Sequence, residues 1–131
     1  MTHSDVHGVI VVDKPPGVTS RRVVDSVSRT LSTKAVGHAG TLDPLAAGVV
    51  VVCVGHATKL VDFIHQQEKA YSVSFLLGRS SPSDDLETEL TVERDPKRPS
   101  LDQVVAAIRN QRGVIQQLPC LYSAKKVGGK R

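Results

Sequence analysis

Gly37-His38-Ala39-Gly40-Thr41-Leu42-Asp43-Pro44 leads through Leu45-Ala46-Ala47-Gly48 into Val49-Val50-Val51-Val52-Cys53-Val54. The first eight residues set one carboxylate between a glycine-rich loop and a proline-started turn. The last six form an apolar, β-branched run that reads as a buried strand. An acid on a tight loop beside such a strand is where a rigid scaffold places function. Pro44 fits the first position of a single helical turn, with Gly48 as its stop.

Upstream, Val9-Ile10-Val11-Val12 is another short β-branched run and predicts a strand, ended by the rigid turn Asp13-Lys14-Pro15-Pro16-Gly17. Thr19 or Ser20 then caps a helix whose apolar face is Val23, Val24, Val27 and Leu31. Ser32 to Leu42 reads as a loop. Downstream, Thr58 to Ile64 predicts a short helix, and Ala70 to Leu77 a third strand closed by Gly78. Ser80 to Asp85 is a polar loop and Leu86 to Val92 an edge strand. Ser100 with Gln103 forms a capping box, and Leu101, Val104, Val105 and Ile108 give the helix after it an apolar stripe that Gly113 ends. A last strand is expected from Tyr122 to Val127. Strands followed by single helices, without regular alternation, predict an α+β fold around a mixed or antiparallel sheet flanked by helices.

Composition narrows the function classes. The 131 residues are 40% hydrophobic and 23% charged, as in a soluble globular domain. No apolar stretch has the length of a membrane span, and the polar start Met1-Thr2-His3-Ser4-Asp5 lacks the pattern of a signal peptide, so a cytoplasmic protein is expected. Two cysteines, Cys53 and Cys120, and five scattered histidines do not make a zinc site, and Cys53 reads as a small buried hydrophobe. The net charge of +4 is mild, but its distribution is uneven. Asp84, Asp85, Glu87, Glu89, Glu93 and Asp95 form an acidic segment, and a mainly basic stretch follows from Lys97 to Arg131. That asymmetry suits a polyanionic partner. No phosphate-binding glycine motif occurs, and Asp43 has no second carboxylate close by in sequence, as paired-acid glycosidases require.

The candidate residues each carry more than one reading. Asp43 before Pro44 is an ordinary helix N-cap, or an acid that Pro44 biases away from helical geometry and aims into a cleft. Gly37 and Gly40 would let a ligand approach the backbone. His38 is a satisfied loop histidine, a general acid/base or a stacking platform. Lys14 is a solvated turn lysine or a phosphate contact, and Lys59 decorates a helix surface. Tyr71 is a core residue or a stacking partner for a nucleobase, a contact of about 1–3 kcal/mol. With two Tyr, two Phe and no Trp, any base recognition must use one pocket rather than a multi-base platform.

Four blocks carry a resemblance: GVIVVDKPPGVTS (Gly8 to Ser20), GHAGTLDPLAAG (Gly37 to Gly48), GHATKL (Gly55 to Leu60) with Lys69-Ala70-Tyr71 and Leu77-Gly78, and QLPCLYSAKKVGGK (Gln117 to Lys130). Their order and spacing resemble the TruB family of pseudouridine synthases, which act on the tRNA T-loop. The resemblance implies the N-terminal portion of a pseudouridine synthase catalytic domain over residues 1–131, without the family's C-terminal RNA-binding domain. It implies isomerisation of uridine 55 to pseudouridine, no cofactor or metal, a T-stem-loop partner, no membrane and a monomer. Asp43 matches the essential aspartate. His38 and Tyr71 match residues that meet the flipped nucleotide, and Lys14, Lys59 and Gly40 match positions near the site and the RNA. The sequence departs from the family at Arg21-Arg22, where many members carry His or Asn followed by Asp, and at Ser81, Ser83 and Thr88.

Family members continue past Arg131 with more sheet and an arginine that pairs with the aspartate. The expectation is therefore an incomplete sheet, a desolvated Asp43 without its counter-charge, and little turnover by 131 residues alone. Two other readings share these residues: a non-catalytic RNA-binding module, and a guide-RNA-dependent synthase similar to dyskerin.

Overall fold

The computed structural model describes residues 6–116. The expected Tyr122–Val127 strand, Cys120 and the Gln117 to Lys130 block lie outside the described residues. The chain divides into two compact units, Met1–Tyr71 and Ser72–Arg131. It is α+β, and every strand pair among the described residues is antiparallel.

In the first unit the two valine-rich runs pair with each other. Strand β1 (Gly8–Lys14) lies along β3 (Gly48–Val54) in an unbroken register from Gly8↔Val54 to Lys14↔Gly48. A short strand β2 (Val36–His38) pairs with the other side of β3, giving the order β1-β3-β2. β2 falls inside the expected Ser32 to Leu42 loop, since three residues are too few to show alternation. Helix α1 (Ser20–Thr30) covers one face of this sheet. Thr19 is its cap, its side-chain oxygen accepting from the Arg22 N–H at 3.1 Å. Val23 and Val27 of the helix and Leu31 at its C-terminal cap pack in one core with Ile10, Val12, Val36, Val50, Val52 and Val54, and Val24 is buried as well. Val50, Val52 and Val54 are almost wholly buried, each stabilising the fold by about 1.5–3 kcal/mol. On the opposite face Val9, Val11 and Val49 are exposed.

After β3 the chain forms a 3-10 turn (Gly55–Leu60) and the short helix α2 (Val61–His65), where one helix from Thr58 was expected. Gly55 begins this turn at φ +61°, and a Cβ there would stand 2.7 Å from the Val6 carbonyl oxygen and collide with the His7 ring. Only glycine fits that approach. No helical turn forms at Pro44. Residues 43–46 make one turn closed by Ala46 N–H to the Asp43 carbonyl at 3.1 Å, and Gly48 opens β3.

The second unit holds a two-residue ladder of β4 (Arg79–Ser80) and β5 (Thr91–Val92), and helix α3 (Leu101–Arg109). The Ser100–Gln103 capping box is present in both directions. Gly113 lies beyond the helix, which ends at Arg109 with Asn110 as its cap. Two expected strands are corrected. Ala70 to Leu77 is not a strand, and of Leu86 to Val92 only Thr91–Val92 pairs. The alternation Tyr71, Val73, Phe75, Leu77 has no ladder among the described residues, and all four side chains are exposed. A period-two pattern marks a segment fit to pair, but a strand needs a neighbour for its N–H and C=O groups. Within the loop, Ser83 and the Glu87 N–H donate to Asp85, holding its carboxyl below the ordinary carboxylate range.

Candidate active site

The loop carrying Asp43 is held by the turn that follows β1. Lys14 ends β1 on the α1 side of the sheet and has no exposed surface. Its ammonium donates to three carbonyls: Val18 at 2.6 Å, Pro15 at 3.1 Å and Pro44 at 3.4 Å. The Gly17 N–H donates to the same Pro44 carbonyl at 2.7 Å. Gly17 sits at φ +78°, which glycine adopts without strain. On the other side of Asp43, buried Ser20 accepts from the Leu42 N–H at 2.9 Å and donates to the Leu42 carbonyl at 3.1 Å. The residues flanking the acid, Leu42 and Pro44, are thus both tied to the Lys14–Ser20 segment.

Lys14 is therefore not the solvated turn lysine of the sequence reading. Its three N–H groups face carbonyls inside the fold, and in this arrangement none is presented to a phosphate. Ser20 was legible only as a possible cap. Thr19 takes that role and leaves the Ser20 hydroxyl for the loop.

Asp43 itself is exposed, and its carboxylate has no hydrogen-bond or ion-pair partner among the described residues. The expectation of a desolvated acid is not met. Burial alternates along Thr41 to Gly48, with Leu42 turned toward the core and Asp43 away from it. Nor does the carboxylate cap a helix, since no helix follows it.

His38 closes β2, opposite Val52. Its Nδ1 lies 2.9 Å from the Gly40 carbonyl oxygen. A carbonyl only accepts, so Nδ1 carries a proton, and a neutral ring then offers Nε2 as an acceptor. Gly40 sits at φ +136°, where a side chain would be strained, and a Cβ there would lie 3.8 Å from Cε of Lys69. The end of the Lys69 stem thus reaches toward Gly40, while its ammonium donates to the carbonyls of His65 and Gln67. Tyr71 is 69% exposed rather than part of a core. Lys59 is exposed at the end of the 3-10 turn. No hydrogen bond joins Asp43, His38 and Tyr71 to one another among the described residues.

Cys53 is buried, and that burial pushes its thiol pKa up, as for a packing residue rather than a nucleophile. No cluster of three or more His, Cys, Asp or Glu side chains fit to hold a metal occurs among the described residues. No helix among them is long and apolar enough to cross a membrane.

Residues 28–131 match the family model described as TruB family pseudouridylate synthase, N-terminal domain. The chain is similar to curated proteins named tRNA pseudouridine synthase B. It is 47% identical over 124 residues to that of Cutibacterium acnes, covering 95% of this chain and 42% of the relative. For Thermobifida fusca the identity is 48% over 124 residues, with 95% and 42% covered. For Bacillus licheniformis it is 41% over 126 residues, with 95% and 41% covered. The chain thus spans about two fifths of the length of these relatives.

Proposed function

The chain belongs to the TruB family of pseudouridylate synthases, and on that premise we propose that it is the N-terminal part of the catalytic domain of a tRNA pseudouridine synthase, built on the pseudouridine synthase fold and acting on uridine 55 of the T-loop. The observation that supports this most is the Leu42-Asp43-Pro44 loop. Its backbone is held on both sides, while the carboxylate between is exposed and has no partner among the described residues.

The reaction is an isomerisation. The N1–C1′ bond of uridine breaks, the uracil ring turns, and C5 bonds to C1′. The proton on C5 then leaves and N1 takes one up, so atoms and charge balance. Positive character builds at C1′ when the glycosidic bond breaks, and an ionised Asp43 either stabilises it electrostatically or adds covalently. The target must first be flipped out of the RNA stack, at a cost of a few kcal/mol. Tyr71, exposed two residues after Lys69, offers a face on which the flipped uracil stacks. Its phenol oxygen serves as the acceptor for the C5 proton. His38 fills the space the base vacates, its Nε2 directed to the RNA. Exposed Lys59 contributes a phosphate contact, and Gly40 keeps the approach clear. The protein works as a cytoplasmic monomer with the T-stem-loop as partner and needs no cofactor or metal.

The test is to incubate the full-length protein with an unmodified tRNA transcript, without any guide RNA, and map pseudouridine by carbodiimide adduct formation and primer extension. The expected result is one new stop at position 55. Uridine left unchanged there by the folded protein would refute the reading. Conversion only on addition of a guide RNA would favour the dyskerin-like alternative.

A further inference from the structure

Among the described residues the exposed Asp43 carboxylate has no partner, so within them its direction is set by its backbone. At Asp43 that backbone is fixed from two directions. Pro44 restricts Asp43 from the C-terminal side, through its ring and through the bonds to its carbonyl. From the N-terminal side the restraint falls on Leu42, a residue outside any strand ladder. There a single hydroxyl does what a neighbouring strand would do. Ser20 Oγ receives the Leu42 N–H at 2.9 Å and donates to the Leu42 C=O at 3.1 Å. Ser20 is only 2% exposed, so water does not replace it easily in either bond. Thr19 caps α1, which leaves the Ser20 hydroxyl free of helical duty.

We propose that Ser20 is a positioning residue for Asp43: its hydroxyl sets the Leu42 peptide and thereby the direction of the Asp43 carboxylate. The proposal rests on the reading of Asp43 as the reacting acid. Ser20 touches no substrate and acts through Leu42 alone. Misplacing a reacting group by about 1 Å can cost a factor of roughly 100 in rate, far more than the loss of one neutral hydrogen bond costs in stability.

The experiment compares Ser20→Ala, Ser20→Val and Ser20→Thr in the full-length protein. Val and Thr have the same shape and differ in the hydroxyl, so crowding by the added methyl affects both alike. Single-turnover rate at saturating tRNA, KM, melting temperature and exchange of the Leu42 amide are measured for each. Ala and Val should lower the rate about 10- to 100-fold, with KM unchanged within about twofold, and should expose the Leu42 amide to exchange. Thr should restore both rate and protection relative to Val. A wild-type rate in Ala, equal rates in Thr and Val, or a loss confined to KM would each overturn the role of Ser20. A folded wild-type protein that protects the Leu42 amide but turns over no uridine would instead overturn the reaction, and the role of Ser20 with it.

Discussion

A lysine without exposed surface is costly unless its ammonium hydrogens find acceptors. Lys14 finds three carbonyls, one of them on the residue after Asp43. Replacing it with methionine keeps much of the volume and strands those carbonyls. Lys14→Met should lower unfolding free energy by about 2–4 kcal/mol in urea titrations. It should also lower turnover further than stability alone explains, because the Pro44 side of the loop is released. The importance of this residue was visible in the sequence, but its direction was not. Lysine beside two prolines in a turn reads as a surface group, and only the register of β1 on β3 shows that position 14 falls on the face covered by α1. Ser20 was hidden for a similar reason. Two hydroxyl residues in a row before a helix both read as caps, and which one is spare depends on a contact 22 residues away. Asp43 stood out as the conspicuous acid, yet its exposure was not anticipated. Nothing local in the sequence says whether the residue beside Leu42 faces inward or outward.

At the scale of elements, the valine runs of β1 and β3, the apolar stripe of α1 and the capping box of α3 were legible because each carries its own period or its own cap. What failed was long-range. Ala70 to Leu77 has the alternation of a strand but no partner among the described residues, and β2 has a partner but no alternation. Pairing is a property of two segments, and a single segment cannot declare it. The 3-10 turn after β3 illustrates a tighter constraint. Gly55 allows the chain to turn against Val6 and His7, where the His7 ring lies against His56 at a tilt of 37° with centroids 4.1 Å apart and accepts the His56 N–H at 3.2 Å. Gly55→Ala should lower stability by about 1–3 kcal/mol, from both the close contact with a backbone carbonyl and the positive φ. Thermal or urea unfolding of the variant checks this, and an unchanged midpoint would show that the turn gives way freely.

For the molecule as a whole, the α+β class and the family were readable in the residues, since the blocks around Gly17, Asp43 and Gly55 are contiguous in sequence. The physical meaning of that contiguity emerged only in the fold, where the Lys14–Ser20 block grips the loop of the Leu42–Pro44 block. The division into two units was not anticipated. Within the first unit, elements that look like separate motifs form one device around a single acid. The most direct measurement is tritium release from a tRNA transcript labelled at C5 of uridine, with wild-type and Asp43→Asn full-length protein side by side and tRNA binding measured for both. The expected outcome is a fall in turnover of at least about 10³-fold with binding kept within a few-fold, since the substitution removes charge without changing shape. Asp43→Asn protein that releases tritium at the wild-type rate would contradict the account.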